Sequence, residues 1–258
     1  MTTHRTESAG TGSLDSAGAV DRPATTVLEH APIMPPRQGS APEPLADELL
    51  ARFTAATAAD VSDLVGRLYT MDGGIRPLYR PMRRMAGSAL TVKAVPGDNW
   101  AIVVALGQAR ANDVLVVDWH GYHDGCGSGA ITTAAAIASG LCGIVIDGAW
   151  RDVEQISALD FPIFGRGTSP YSPAKRELGE INVPVCCGGV VVEAGDVVFG
   201  DEDGVAVVPR AQLSSVAAAF DSRNPRESSA GLVDQQLERE VAQRTERYQH
   251  LLRERTGG

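Results

Sequence analysis

Apolar positions along the chain fall into three regimes. From Met1 to Pro44 no periodic pattern develops, and the stretch lacks Phe, Trp and Tyr while holding six of the fifteen prolines. Such a segment buries too little apolar surface to offset its ordering entropy, which predicts a disordered or loosely attached arm over residues 1–44. From Leu45 onward, Leu49, Leu50 and Phe53, then Val61, Leu64, Val65 and Leu68, recur at helical spacing with a break around Thr57 to Asp60, predicting two helices. After turn residues Gly73 to Leu78, Ala89 to Val95 reads as a buried strand. Pro96 to Ala109 reads as a helix with Asp98 or Asn99 as its N-cap. Val114 to Asp118 is a second strand, leading through a glycine-rich loop, His120 to Gly129, into a helix beginning at Ala130. Gly143 to Gly148 is a third strand, Arg151 to Leu159 a short helix and Phe161 to Gly165 a fourth strand. This alternation predicts parallel pairing with helices covering the sheet. Val183 to Pro209 changes character: short β-branched runs separated by Gly-Asp and Asp-Gly predict antiparallel hairpins that close the sheet. Near the C-terminus, Leu237, Val241, Tyr248 and Leu251 form one stripe amid dense charge. The pattern predicts a solvated helix packed on the body or on a neighbouring subunit. The boundaries are an arm over 1–44, a body over 45–220 and a charged helical extension over 221–258.

Composition narrows the class. At roughly 150 residues per domain, 258 residues give one large domain with appendages. Aromatic residues are only 5% and Gly reaches 28, so the core is expected to be Val, Ile, Leu and Ala. The 32 acidic residues against 23 basic ones give a net charge of -9, which opposes a nucleic-acid partner or an anionic membrane surface. The four cysteines, two of them adjacent, form no disulfide framework. With no leader-like N-terminus and no run of about 18 apolar residues, a reducing, cytoplasmic setting without membrane insertion is expected.

The chemistry-bearing residues cluster in Gly127 to Pro170. The strand ending at Asp147-Gly148 is followed by Arg151-Asp152, placing this pair at the carboxyl edge of the sheet, where ligands bind in open α/β folds. There a guanidinium can fork onto a carboxylate or keto oxygen and a carboxylate can hold a hard cation. The plainer account is a helix cap at Asp152 and a surface ion pair at Arg151. Gly129, Ala130 and Ile131 open a helix directly after a strand. Their amides form either an anion site or no more than a tight turn, and no nucleotide fingerprint is present.

Read from Gly129, the pattern GxxxTAAxxxxGxxGxVxDGxxRDxxxIxxLxFPxFxRGxSP resembles the signature of the family of the regulator of ribonuclease activity A, RraA. That family includes the class II 4-hydroxy-4-methyl-2-oxoglutarate / 4-carboxy-4-hydroxy-2-oxoadipate aldolases. Supporting pieces are Ala59 to Asp63, Ile75 to Leu78, Gly97 to Asn99, Asn112 to Asp118, Gly195 to Val198 and Asp203 to Pro209. The resemblance spans about Leu45 to Ala219. It implies an α/β/α sandwich of swivelling-domain type with a mixed sheet and a C-terminal antiparallel hairpin region, assembled as a homotrimer or homohexamer with sites at subunit interfaces. It also implies cleavage of 4-hydroxy-2-oxo acids to pyruvate, or decarboxylation of oxaloacetate, with Mg²⁺ or Mn²⁺. Both reactions pass through a pyruvate enolate that a metal stabilises without a Schiff-base lysine, and no lysine lies between Lys93 and Lys175.

By matching positions, Asp152 is the metal ligand, Arg151 binds the pyruvyl keto or carboxylate oxygen, and Gly129, Ala130 and Ile131 hold the substrate carboxylate. The chain departs from the lyase pattern at Ala130, where an Asp or Glu is typical; such a carboxylate steadying the metal's water shell is worth roughly 10 to 100-fold in affinity or activity. His120, His123 and Asp124 are candidates for a substitute base or ligand. Glu227 is a candidate for the family's interface acid. Two other readings remain: a non-catalytic regulator binding a ribonuclease or helicase, and a divergent dehydratase, hydratase or tautomerase. For the last, Trp150 either narrows the pocket or packs on the neighbouring helix.

Overall fold

The computed structural model describes residues 35–53, 56–223, 239, 241–250 and 253–254. Most of the expected arm and Glu227 lie outside them. The compact unit begins at Pro36. Residues 37–44 run over the body: Arg37 pairs with Glu180 at 2.8 Å, and the Gly39 amide donates to the Ile181 carbonyl.

Helices α1 (Asp47–Ala51) and α2 (Ala58–Val65) flank the expected break. Thr57 supplies the reason for it: its hydroxyl accepts the Asp60 amide, while the Asp60 carboxylate accepts the Thr57 amide, a capping box that starts α2 afresh. The body then runs β1 (Arg76–Pro77), β2 (Met85–Lys93), α3 (Trp100–Leu106), β3 (Asp113–Cys126), α4 (Ala130–Ala138), β4 (Gly143–Trp150), α5 (Val153–Ala158), β5 (Ile163–Gly165), β6 (Gly167–Thr168), β7 (Glu180–Ile181), β8 (Val185–Cys187), β9 (Val190–Val192), β10 (Val197–Asp201), β11 (Gly204–Val208) and α6 (Leu213–Arg223). The main sheet has the order β1-β5-β4-β3-β2-β10-β11. Pairings β2/β3, β3/β4 and β4/β5 are parallel, and β10 and β11 join antiparallel to β2. Just before β1 the Met71 amide donates to the Val205 carbonyl of β11, so the two ends of the sheet are drawn together and the sheet nearly closes.

Alternation along the strands sorts the core. Leu115, Val117, Ile144 and Ile146 point outward to α3, α4 and α5, whereas Val114, Val116, Val145 and Phe164 point inward. Burial on both sides explains why these strands read as unbroken apolar runs. The inner space is filled by the hairpin β8–β9, which forms a separate two-stranded sheet. Of the expected closing hairpins, therefore, β10–β11 joins the main sheet and β8–β9 plugs it. Helices α2 and α6 cover the outer side of β10–β11 through Val61, Phe199, Val208 and Ala217. The charged extension is helical over residues 241–250, with Val241 and Tyr248 exposed rather than seated on the body; Leu237 and Leu251 are not described. Among the described residues no helix is long and apolar enough to cross a membrane.

One expectation is corrected. The glycine-rich stretch from His120 is not a loop, because β3 continues to Cys126 and only residues 127–129 turn into α4. His120 and Gly121 adopt positive φ, and register shifts on either side of Tyr122 let the strand bulge and re-pair with Gly148 and Ala149.

Behind β4, Arg166 joins Asp147 to Asp72, contacting Asp72 Oδ2 at 3.0 Å, while Asp147 Oδ2 accepts the Gly188 amide of the plug. The Arg166 hydrogen bonds hold the Asp72 carboxyl below its usual range. A carboxylate depressed in the folded state stabilises above its unfolded pKa, about 4, and loses that contribution as pH falls. Because Asp72 is half exposed, its share is below about 1 kcal/mol. Asp72→Asn is expected to lower the melting temperature by about 1–3 °C at pH 7, with the difference shrinking in thermal scans as the pH is taken below about 4.

Candidate active site

Strand β4 ends at Trp150, and the chain turns sharply into α5. Trp150 is fully buried, and its indole N–H donates to Thr133 Oγ1 on α4 at 3.2 Å. Its role is to pack on the neighbouring helix and tie the strand end to it; it does not line the cleft. Asp152 sits at φ 63°, the left-handed region that non-glycine residues seldom occupy. It precedes α5 but makes no side-chain cap there, so the plain capping account fails. Its Oδ2 instead accepts the Ala130 amide at 3.0 Å, at the start of α4. Arg151 Nε lies 3.6 Å from that same oxygen and is buried with no hydrogen-bond acceptor, while Arg151 Nη1 donates to Ser172 Oγ.

Gly129 makes this approach possible. A Cβ there would stand 2.2 Å from Asp152 Oδ2 and 2.9 Å from Arg151 Cγ. The glycine, the left-handed Asp152 and the Arg151 side chain therefore interlock. They open onto a cleft of about 400 Å³ lined by Asn99, Val103, Ser128, Ile131, Thr132 and Lys175, among others. Arg151 and Asp152 also border a shallower depression beside Thr168 and Ser169.

The structure brings together Gly129, Ala130, Ile131, Arg151 and Asp152. The Ala130 amide, however, is taken by Asp152, and the Ile131 side chain is 88% exposed at the cleft rim. It does not bring His120, His123 or Asp124 there. His120 lies over Asp118, His123 faces Gly74, Arg76 and Arg166 in a separate depression, and Asp124 offers its carbonyl to Ser169. Strand continuation beyond Asp118 carries these residues away from the cleft. Ser128, in the glycine-rich turn before α4, lines the cleft together with Thr132, Ser172 and Lys175, which no motif marks. Asn99 is the N-cap residue of α3 but makes no side-chain cap there; the Trp100 amide donates instead to Asp98 Oδ1 at 2.9 Å.

The cleft suits a small anion. Its cations among the described residues are Arg151 and Lys175, and its one carboxylate is Asp152. No cluster of three His, Cys, Asp or Glu residues occurs among the described residues. A hard ion such as Mg²⁺ keeps most of its water shell and needs only one or two protein carboxylates. Asp152, with one oxygen engaged by Ala130 and its side chain one-third exposed, fits such an ion.

The RraA-like family model, described as Aldolase/RraA, matches residues 57–207, more than half of the chain. The chain belongs to the RraA-like family. It is 37% identical over 169 residues to a Halalkalibacterium halodurans protein named "Putative 4-hydroxy-4-methyl-2-oxoglutarate aldolase", covering 66% of this chain and 80% of that one. An Alcanivorax borkumensis protein of the same name is 33% identical over 125 residues, 48% of this chain and 78% of its own. Among solved structures, Streptomyces coelicolor RraAS2, described as an unusual member of the RNase ES inhibitor RraA protein family, superposes with a TM-score of 0.63. It is 28% identical, covering 70% of this chain and 94% of its own. The RNA-processing inhibitor RraA of Thermus thermophilis gives a TM-score of 0.55 at 29% identity, covering 60% and 93%.

Gly129→Ala is expected to push the Asp152 carboxylate off the Ala130 amide. Loss of this charge-assisted hydrogen bond should speed hydrogen exchange of that amide by about tenfold or more. Unchanged exchange would mean the contact is not held by the glycine.

Proposed function

We propose that this RraA-like chain is a lyase of small 2-oxo acids that cleaves 4-hydroxy-2-oxo acids to pyruvate, or decarboxylates oxaloacetate, with Mg²⁺ or Mn²⁺ held at Asp152. The observation that carries the reading is the Arg151–Asp152 pair locked against Gly129 and Ala130 at the carboxyl edge of the parallel strands. The aldolase names of two relatives support a lyase-type role.

Each residue has a physical task. Arg151 lines the cleft with its Nη1 held on Ser172 Oγ, so its guanidinium is positioned to donate to a substrate oxygen. Lys175 adds a second positive charge in the same cleft, which offsets locally the net -9 of the chain for an anionic substrate. Asp152 is held in place by the Ala130 amide, so its carboxylate is oriented before any ligand arrives. When bound, a divalent cation supplies charge stabilisation for the enolate common to both reactions.

Two exposed apolar side chains line this cleft, Val103 on α3 and Ile131 on α4, Ile131 by 88%. Exposed apolar surface of this kind marks an interaction site, and a second copy of the chain in a trimer or hexamer is the proposed cover.

A second reading, a protein inhibitor of RNA processing, is favoured by the likeness to the two RraA structures. It predicts inhibition of a ribonuclease that survives Asp152→Ala.

Pyruvate release from oxaloacetate or a 4-hydroxy-2-oxo acid is expected to be lost in EDTA and in Asp152→Ala. In Arg151→Lys, kcat/KM should fall by about 100-fold, because an ammonium cannot replace a two-pronged donor. Equal turnover by the chelated or variant protein would overturn the lyase reading. Ile131→Glu is expected to shift the sedimentation coefficient toward a monomer, whereas an unchanged assembly would rule out this face as the subunit contact.

A further inference from the structure

The cleft has a polar wall that neither Arg151 nor Asp152 accounts for. The Asn99 amide, at the start of α3, donates from Nδ2 to Ser128 Oγ at 3.4 Å. Ser128 Oγ is in turn hydrogen-bonded to Thr132 Oγ1, in the first turn of α4. All three residues line the cleft that holds Arg151, Asp152 and Lys175. Asn99 and Ser128 are buried at 3% and 6% exposure, whereas Thr132 is more open, so the row runs from the protein interior to the cleft wall.

Proton counting leaves this row one spare hydroxyl proton. Two hydroxyl protons are available to Ser128 and Thr132, and the bond between them uses one. With the Asn99 N–H given to Ser128 Oγ, a Ser128 proton donated to Thr132 Oγ1 sets the Thr132 proton free for a ligand, and this is the arrangement the proposal uses. The chain is polarised in one sense, and cooperative hydrogen bonds strengthen the terminal donor. A neutral donor beside two cations suits an anionic oxygen, whereas a carboxylate at the neighbouring position 130, which this chain lacks, could only accept.

We propose that Thr132 Oγ1 is a substrate-contacting donor that binds an anionic oxygen of the oxo acid, with Ser128 and Asn99 as positioning residues that aim it. The inference rests on the oxo-acid reading and deepens it by adding a specificity-determining hydroxyl opposite no other assigned group.

The test uses the full chain with Mg²⁺, oxaloacetate as substrate and oxalate, which resembles the pyruvate enolate, as inhibitor. Thr132→Val keeps the side-chain shape and removes the hydroxyl. The expected result is a rise of about tenfold in both KM and the oxalate inhibition constant, with kcat within about twofold and the melting temperature lowered by only a few degrees by loss of the Ser128 contact. Thr132→Ser is expected to restore both constants, and Asn99→Leu to raise them in the same sense. Unchanged constants in Thr132→Val, with an active wild type, would overturn the proposal and leave the lyase reading intact. So would a parallel loss of kcat and melting temperature that serine fails to restore, since that marks a structural role. A wild type that neither turns over oxaloacetate nor binds oxalate would overturn the lyase reading and this proposal with it.

Discussion

The contact between Asp152 Oδ2 and the Ala130 amide is the constraint on which the site depends. It ties the loop after β4 to the first turn of α4, two elements joined in sequence only through the whole of α4 and β4. Each neighbouring feature follows from it. Position 129 must be glycine, since a Cβ would overlap the carboxylate; Asp152 accepts a left-handed backbone; and Arg151 is laid across the same glycine with its Nε buried. Trp150, one residue earlier, anchors the strand end to α4 through Thr133, so the pair is carried on rigid elements rather than on a free loop. A backbone strained at one residue and supported by three packed neighbours is what a preorganised site requires.

Much of this was readable from the residues. The buried parallel strands announced themselves as Val and Ile runs, and the break between α1 and α2 followed from Thr57 and Asp60. Arg151 and Asp152 were placed at the carboxyl edge by counting elements alone. The glycine-rich stretch was misread because glycine and histidine signal a turn locally. Pairing across to Gly148 and Ala149, a long-range property, keeps it extended to Cys126. The same extension removes His120 and His123 from the site. The hairpin β8–β9 was expected to close the sheet and instead fills it, because near-closure through Met71 and Val205 creates an interior that short apolar strands must occupy. Lys175, Ser172 and Thr132 escaped notice since each is an ordinary polar residue until the fold gathers them around one cleft.

Electrostatics and burial act together in this picture. The chain is acidic overall, yet the cleft residues that carry positive charge are Arg151 and Lys175, and the one carboxylate there is immobilised by an amide. Alanine at position 130 leaves the amide free of any side chain of its own that would compete with Asp152, and the hydroxyl row from Asn99 to Thr132 supplies polarity on the adjoining wall.

The central claim is that this cleft, and not another surface of the molecule, receives the oxo acid. A crystal structure of the protein grown with Mn²⁺ and oxalate tests it directly. The account predicts an anomalous manganese peak beside Asp152 and oxalate density against Arg151; manganese or oxalate bound elsewhere, with the Gly129–Asp152 cleft empty, would contradict it.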